Sequence, residues 1–212
     1  MLLGNFDFYE FILFIIVLVI CITVHEFAHA YSAYKAGDNT PKYGNRLNLN
    51  PMNHFEPFGA IMIVISAISG FGIGWGKPVG VNPHNFRNPR WDNLKVSLWG
   101  PLSNILMAAI GGGVLRLLFY INFNDSFILS FLVIFVLVNL GLALFNLIPI
   151  TPLDGSHILS ALLPEKEAII YDSIMHQYGF LIFIGLIILA PSILPIILGP
   201  PRKFLFTLFT GL

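Results

Sequence analysis

Long apolar runs, separated by short polar stretches, make up most of this sequence. Four of these runs occupy residues 10–34, 95–121, 127–149 and 178–199. A helix rises about 1.5 Å per residue, so about 20 apolar residues cross the hydrocarbon layer of a bilayer, which is about 30 Å thick. The pattern therefore predicts an all-α, multi-pass membrane protein with about four transmembrane helices.

A fifth apolar run, residues 57–76, differs from the others because glycines crowd its second half. Its glycines are Gly59, Gly70, Gly72, Gly74 and Gly76. Glycine lowers helix propensity, and irregular backbone is tolerated at membrane depth where protein or a cavity surrounds it. We therefore expect a re-entrant, β-like hairpin over roughly residues 57–80 instead of a fifth crossing.

Basic residues indicate how the chain is oriented in the membrane. Those up to the start of the second predicted helix are Lys35, Lys42, Arg46, Lys77, Arg87, Arg90 and Lys95. The loop at residues 122–126 contains neither lysine nor arginine, so the positive-inside rule places the first two loops in the cytoplasm. Both loops lie on one side only if residues 57–76 turn back, which agrees with the hairpin. The tail beyond Pro191 and Pro195 stays unassigned, because these prolines could bend the last segment back.

The composition agrees with a membrane protein. Of the 212 residues, 56% are hydrophobic and 10% are charged, whereas soluble domains carry roughly 25% charged residues. The formal net charge is zero and no basic patch stands out, so we expect no nucleic-acid partner. The single cysteine, Cys21, cannot form an internal disulfide. No internal repeat or linker divides the chain, and we treat residues 1–212 as one membrane-embedded domain.

Polar chemistry enters the first apolar run at His25-Glu26-Phe27-Ala28-His29. Residues four apart share one face of a helix, about 6 Å apart, so both imidazoles can bind one metal ion. The pKa of a zinc-bound water molecule falls to about 7, and Glu26, beside the metal, can accept the proton of this water. Because ionisable residues are expensive inside a membrane, we predict a zinc site with His25 and His29 as ligands and Glu26 as general base.

A catalytic zinc ion usually has three protein ligands and one open position. Asp154 is the favoured third ligand, because prolines and a glycine around it break the helix that the preceding apolar run predicts. If residues 57–76 turn back, the third predicted helix ends on the side of the membrane where the two histidines lie. Asp154 then lies at the same depth as the histidines. The alternatives for the third ligand are Glu56, His54 and His157.

Two small-residue motifs in the second predicted helix are interpreted as packing features. The first, Gly100-Pro101-Leu102-Ser103-Asn104, is interpreted as a packing turn and not as a catalytic element. The second, three glycines at residues 111–113, lets neighbouring helices approach closely.

Taken together, the motifs resemble the site-2 protease family of intramembrane zinc metalloproteases, in its compact bacterial and archaeal form without PDZ or CBS domains. The resemblance covers about residues 10–160. It rests on the histidine motif followed, in order, by "RLNLNP", "HFEPFGAI", "GWGKPV", "GPLSN" and "NLIPITPLDG". It implies that His25, His29 and Asp154 bind one zinc ion per chain and that Glu26 is the general base. It also implies that Asn146 holds the substrate backbone or the oxyanion.

The resemblance implies a function as well. The expected reaction is hydrolysis of peptide bonds in or near the transmembrane segments of membrane-protein substrates. The expected setting is the lipid bilayer of a bacterial or archaeal cytoplasmic membrane, with the active site towards the cytoplasm and residues 178–199 outside the catalytic core. Two other classes stay open, a metal-ion transporter or sensor and a catalytically silent scaffold. The transporter or sensor hypothesis gives Glu26 no role. The scaffold hypothesis predicts that a motif residue is missing, yet every motif residue is present.

Overall fold

A computed structural model of the protein describes residues 8–54 and 79–212. In chain order its helices are α1 (Phe8–Lys35), α2 (Thr40–Tyr43), α3 (Pro51–His54), α4 (Pro89–Tyr120), α5 (Ser126–Asn146), α6 (Asp154–Leu162) and α7 (Glu165–Thr210), with a 3₁₀ turn at Pro83–Asn85. Within the described ranges no strand is present, and α1, α4, α5 and α7 are long and apolar enough to cross a membrane. The prediction of an all-α protein with about four transmembrane helices is confirmed. The predicted hairpin at roughly 57–80 falls almost wholly outside the described residues.

Two of the spanning helices begin at caps that the apolar runs do not reveal. The side chain of Asn88 accepts a hydrogen bond from the N–H of Trp91, and Pro89 occupies the first helical position of α4. The helix therefore starts before its predicted first residue, 95. At α5, the side chain of Asp125 accepts a hydrogen bond from the N–H of Ile128 over 3.0 Å. The sequence thus locates these helices, while the capping side chains determine where they begin.

The core of the bundle is formed where α1, α4 and α5 meet. Leu18 and Ile22 of α1 pack against residues of α5. On the other face of α5, Val136 and Leu140 pack with Ala108 of α4 and with side chains from the end of α7. The glycine run of α4 permits this approach. A Cβ atom at position 111 would lie 2.8 Å from the ring of Phe135, and one at position 112 would lie 2.7 Å from Phe209. The prediction of close packing is confirmed for Gly111 and Gly112, whereas a Cβ atom at Gly113 would meet nothing within 4 Å.

Helix α7 is much longer than the predicted segment 178–199. Its 46 residues include four prolines at positions 191, 195, 200 and 201. A straight helix of this length would measure about 69 Å, more than twice the thickness of the hydrocarbon layer. About a third of the way along α7 Gly179 lies against Thr151, and near its end Phe209 lies against Gly112. Between these contacts, side chains such as Ile188 and Ile196 are exposed, so α7 touches the bundle mainly in its first third and near its end.

Asp38 ties the loop after α1 to the segment before α4. Its buried carboxylate accepts hydrogen bonds from the N–H and hydroxyl of Thr40, from the N–H of Asn82 over 2.7 Å and from the side chain of Asn85 over 2.8 Å. Burial by itself raises the pKa of Asp38, but these hydrogen bonds outweigh it and hold the pKa below its ordinary value. The ends of α1 and α4 are therefore fixed relative to each other on the side where the site lies.

Candidate active site

Three predicted ligands meet at the contact between α1 and α6. The Nε2 atoms of His25 and His29 lie 3.0 Å apart. The carboxylate of Asp154 lies with one oxygen 3.2 Å from His25 Nε2 and the other 3.2 Å from His29 Nε2. Both histidines are buried, and in the described part of the chain no other three His, Cys, Asp or Glu residues could together hold a metal ion.

Asp154 reaches the histidines because α6 begins directly against the end of α5. A Cβ atom at Gly155 would lie 2.5 Å from the carbonyl oxygen of Ile148 and even closer to that of Leu147. These neighbours are backbone atoms and cannot rotate away. Only a residue without a side chain fits at position 155, and this close approach sets the first residue of α6 beside α1.

The ring of His25 is oriented by two buried amides. Its Nδ1 lies 2.6 Å from the side-chain oxygen of Asn104 on α4. The amide nitrogen of Asn104 donates to the side-chain oxygen of Asn139 over 2.8 Å and to the carbonyl of Cys21 over 3.3 Å. Asn139 in turn donates to the carbonyl of Phe135 over 2.9 Å. Because the nitrogen of Asn104 already donates to these two acceptors, its oxygen is the atom that faces His25. Nδ1 of His25 must therefore donate the hydrogen bond, which leaves the lone pair on Nε2 of the same ring.

The ring of His29 is oriented by backbone of α4. Its Nδ1 donates to the carbonyl oxygen of Val96 over 2.7 Å, so its Nε2 also carries the lone pair. One turn further along α4, Gly100 lies against both rings. A Cβ atom there would lie 2.5 Å from Cε1 of His29 and 2.7 Å from Cε1 of His25. The two imidazoles thus fill the space that a side chain at position 100 would need.

This arrangement fits a zinc ion. Two Nε2 lone pairs and a carboxylate face one another, and Oδ2 of Asp154 is buried without a hydrogen bond from any described residue. Such acceptors repel each other unless a cation lies among them. Nitrogen and oxygen ligands about 2.0–2.1 Å from a tetrahedral zinc ion are about 3.3 Å apart, close to the separations found here. The donor set and its spacing therefore suit zinc.

Glu26 follows His25 on α1 and is held by a residue from a distant loop. Nη2 of Arg46 lies 3.4 Å from Oε2 of Glu26, and the two side chains are only 5% and 13% exposed. Sequence reasoning selected Glu26, but it used Arg46 only as a positive charge that orients the chain. The structure makes Arg46 the partner of the predicted general base.

The structure describes three of the four remaining candidates, and each has other neighbours. Asn146 is the last residue of α5, is half-buried, and donates to the carbonyl of Leu142 over 3.0 Å. His54 is buried but donates to the carbonyl of Asn48 over 2.7 Å, and burial lowers its pKa. His157 is exposed on α6. The structure therefore favours neither histidine as third ligand, and Glu56 lies outside the described residues.

Sequence reasoning missed the residues that orient the histidines. The interpretation of residues 100–104 as a packing turn is right about close packing and wrong about the turn. The motif lies inside α4, Gly100 touches both imidazoles, and Asn104 accepts the hydrogen bond of His25. The available signal was an asparagine in each of two apolar helices, Asn104 and Asn139, because an amide in an apolar helix needs a partner there.

Comparisons with known proteins find relatives whose names denote zinc metalloproteases. Residues 112–190 match the sequence profile of peptidase family M50. The chain is 37% identical over 205 residues to "Putative zinc metalloprotease YwhC" of Bacillus subtilis, an alignment that covers 93% of this chain and 91% of that protein. It is 31% identical over 184 residues to "Putative zinc metalloprotease Rip2" of Mycolicibacterium smegmatis, covering 84% of this chain and 67% of that protein. No solved structure matches the chain at a significant level.

Proposed function

This chain belongs to peptidase family M50, the site-2 protease family, and from that premise we propose that it hydrolyses peptide bonds in or near the transmembrane segments of membrane-protein substrates. As a member it is a multi-pass membrane protein and a zinc metalloprotease. The observation that carries the proposal is the group of His25, His29 and Asp154, which lies partly on a membrane-spanning helix with Glu26 beside it. A hydrolytic site at membrane depth is suited to substrates that are themselves in the membrane.

In this proposal His25, His29 and Asp154 would hold the zinc ion. When bound, zinc polarises the carbonyl of the peptide bond and makes a water molecule acidic enough to act as a nucleophile near neutral pH. Asn104 and the carbonyl of Val96 fix which nitrogen of each histidine faces the ion. Such outer partners orient the rings and raise their basicity.

Glu26 acts as the general base that transfers the proton of the attacking water. It accepts the proton of the attacking water and passes it to the leaving amine, which its place next to His25 on the same helical turn permits. Asn146 holds the substrate backbone or the developing oxyanion, an assignment supported by the family motif and by its place at the end of α5. A transmembrane substrate must unwind locally, because a helix keeps its carbonyl groups in internal hydrogen bonds.

The proposed site opens towards the cytoplasm of a bacterial or archaeal cytoplasmic membrane. His29 lies six residues before Lys35, the last residue of α1, which is about 9 Å along the helix. The loops that follow α1 and precede α4 carry the basic residues that the positive-inside rule assigns to that side. Water then reaches the site from the polar loop after α1.

The test uses purified full-length protein, a model single-span substrate and zinc analysis by mass spectrometry. Wild type should carry one zinc ion per chain and cleave the substrate. Glu26→Gln should keep the zinc and lose cleavage, and Asp154→Ala should lose the zinc as well. Glu167→Gln, which alters an exposed glutamate of α7, is the matched control and should behave as wild type. Cleavage by Glu26→Gln at the wild-type rate would refute the mechanism, and ion flux without cleavage would favour a transporter.

A further inference from the structure

Residues 45–54, which we call the asparagine loop, contain the whole motif "RLNLNP", for which sequence reasoning found no role beyond the family resemblance. Asn48 is its centre. The side chain of Asn48 donates to the carbonyl of Asn45 over 2.8 Å and accepts from the N–H of Asn50 and the amide of Asn53, each over 2.9 Å. Its backbone carbonyl accepts the hydrogen bond of His54. One asparagine therefore joins both halves of the loop into a rigid unit.

The asparagine loop directs Arg46 inward. Asn45 adopts a left-handed backbone with φ of 53°, a conformation that asparagine tolerates better than most residues. The chain turns there, and the N–H of Arg46 donates to the carbonyl of Pro41 over 2.8 Å. Arg46 is left only 4% exposed, with its Nη2 3.4 Å from Oε2 of Glu26. A guanidinium buried to this degree needs an anionic partner, because an unpaired charge away from water is strongly unfavourable.

We propose that Arg46 is a positioning residue for Glu26: the guanidinium holds Oε2, the asparagine loop fixes the backbone that carries this guanidinium, and Oε1 is left to accept the proton of the reacting water. The inference rests on the proposed function, since it assigns Arg46 to the reaction that Glu26 serves. A glutamate side chain rotates about three bonds, and one fixed oxygen restricts that rotation. Misplacement of a catalytic group by about 1 Å can lower a rate about 100-fold, so this restriction bears directly on turnover.

The decisive comparison is between Arg46→Gln and Arg46→Lys, with Arg87→Gln as control, since Arg87 is an exposed arginine of the segment before α4. Arg46→Gln should lower kcat about 10- to 100-fold and leave KM within about twofold, because the contact orients the base and does not bind substrate. It should keep one zinc ion per chain. Arg46→Lys keeps a positive charge beside Oε2 and should recover part of the lost kcat, while Arg87→Gln should match wild type.

A wild-type kcat in Arg46→Gln overturns the proposal, and so does a raised KM with kcat unchanged. Arg46→Gln also leaves Glu26 buried without its partner, so the protein could fail to accumulate in folded form. In that case the double variant Arg46→Gln with Glu26→Gln should restore accumulation and raise the melting temperature, since the unpaired carboxylate is gone. A double variant no more stable than Arg46→Gln alone contradicts the pairing.

This second arm needs no cleavage, so it separates the two proposals. If wild type does not cleave, or if cleavage survives in Glu26→Gln, the proposed function fails and the melting comparison still tests whether Arg46 holds Glu26. If wild type cleaves through Glu26 and Arg46→Gln is as fast, the function stands and the role of Arg46 is rejected.

Discussion

The side-chain oxygen of Asn104 lies 2.6 Å from Nδ1 of His25, so a residue of α4 determines which nitrogen of an α1 histidine faces the ligand group. Asn104 is fully buried and is itself held by Asn139 of α5. One chain of hydrogen bonds therefore connects the three central helices to the proposed zinc ligand. Outer partners of this kind control both the tautomer and the orientation of a metal-binding imidazole.

Replacing Asn104 should weaken zinc binding without removing a ligand. Asn104→Ala should lower zinc affinity about 10- to 100-fold and destabilise the protein by about 1–3 kcal/mol, because His25 and Asn139 lose a buried partner. Competition with a chelator measures the affinity, and thermal melting measures the stability. Ser103→Ala is the control, since that hydroxyl donates only to the carbonyl of Gly100 in its own helix. Unchanged affinity in Asn104→Ala would show that His25 needs no such support.

Gly100 should tolerate no side chain. In Gly100→Ala the new methyl group would occupy the space of both imidazoles, so the ligand group should separate, zinc content should fall, and stability should drop by about 1–3 kcal/mol. Gly113→Ala on the same helix meets nothing within 4 Å. It should keep its zinc and become more stable by about 0.5–1 kcal/mol, because alanine favours helix. Equal zinc content in the two variants would contradict the close approach of α4.

A substitution at Gly155 tests independently whether close packing at this glycine positions Asp154 beside the histidines. Gly155→Ala should push the start of α6 away from the carbonyls of Leu147 and Ile148 and so withdraw Asp154 from the histidines. We expect loss of zinc together with a lower melting temperature. Gly185→Ala, at an open position of α7, is the matched control and should retain both. If Gly155→Ala keeps a full zinc complement, Asp154 does not depend on this contact.

The Asp38 contacts predict a pH dependence of stability. Because the folded pKa of Asp38 is lowered, the unfolded chain takes up the proton first as the pH falls. The stabilisation is complete above the unfolded pKa of about 3.9 and is lost as the pH falls through the lower folded value. Asp38→Asn should therefore lower the melting temperature near pH 7, and the difference from wild type should shrink on acidification.

The measurement is thermal melting in detergent between about pH 3 and pH 7, the range that brackets an ordinary aspartate pKa. Loss of hydrogen bonds to the charged carboxylate should remove about 1–3 kcal/mol near neutral pH. Glu167→Gln removes an exposed carboxylate and should leave the curve unchanged. A difference between Asp38→Asn and wild type that grows towards low pH would have the wrong sign.

The apolar runs predict α1, α4 and α5 because the thickness of the bilayer sets the length of a spanning helix. The histidine spacing predicts that His25 and His29 share a face of the helix. The break in the helix at Asp154 predicts that this carboxylate approaches the two histidines. The face of α4 that meets α1 could not be predicted. Asn104 marks a side of α4 that needs a polar partner, but the sequence does not say on which helix that partner lies, so the contact of Asn104 with His25 depends on packing.

The length of α7 shows another limit. Proline normally ends a helix in sequence-based reasoning, yet α7 continues through four of them. In a membrane the freed backbone groups have no water to bind, so remaining helical is the better alternative. Arg46 illustrates the same problem at a loop, because nothing in its neighbours along the chain indicates that it turns inward to Glu26.

The order of the ligands along the chain has a consequence for biosynthesis. His25, Glu26 and His29 lie on the first spanning helix, whereas Asp154 lies beyond α4 and α5. During synthesis, a chain that has inserted only α1 carries two of the three proposed ligands. It does not yet have α4, which orients the two imidazoles, or the carboxylate of Asp154. If the proposed function holds, a nascent chain that ends before α6 therefore lacks a complete set of ligands, and hydrolysis begins only after most of the bundle has been assembled.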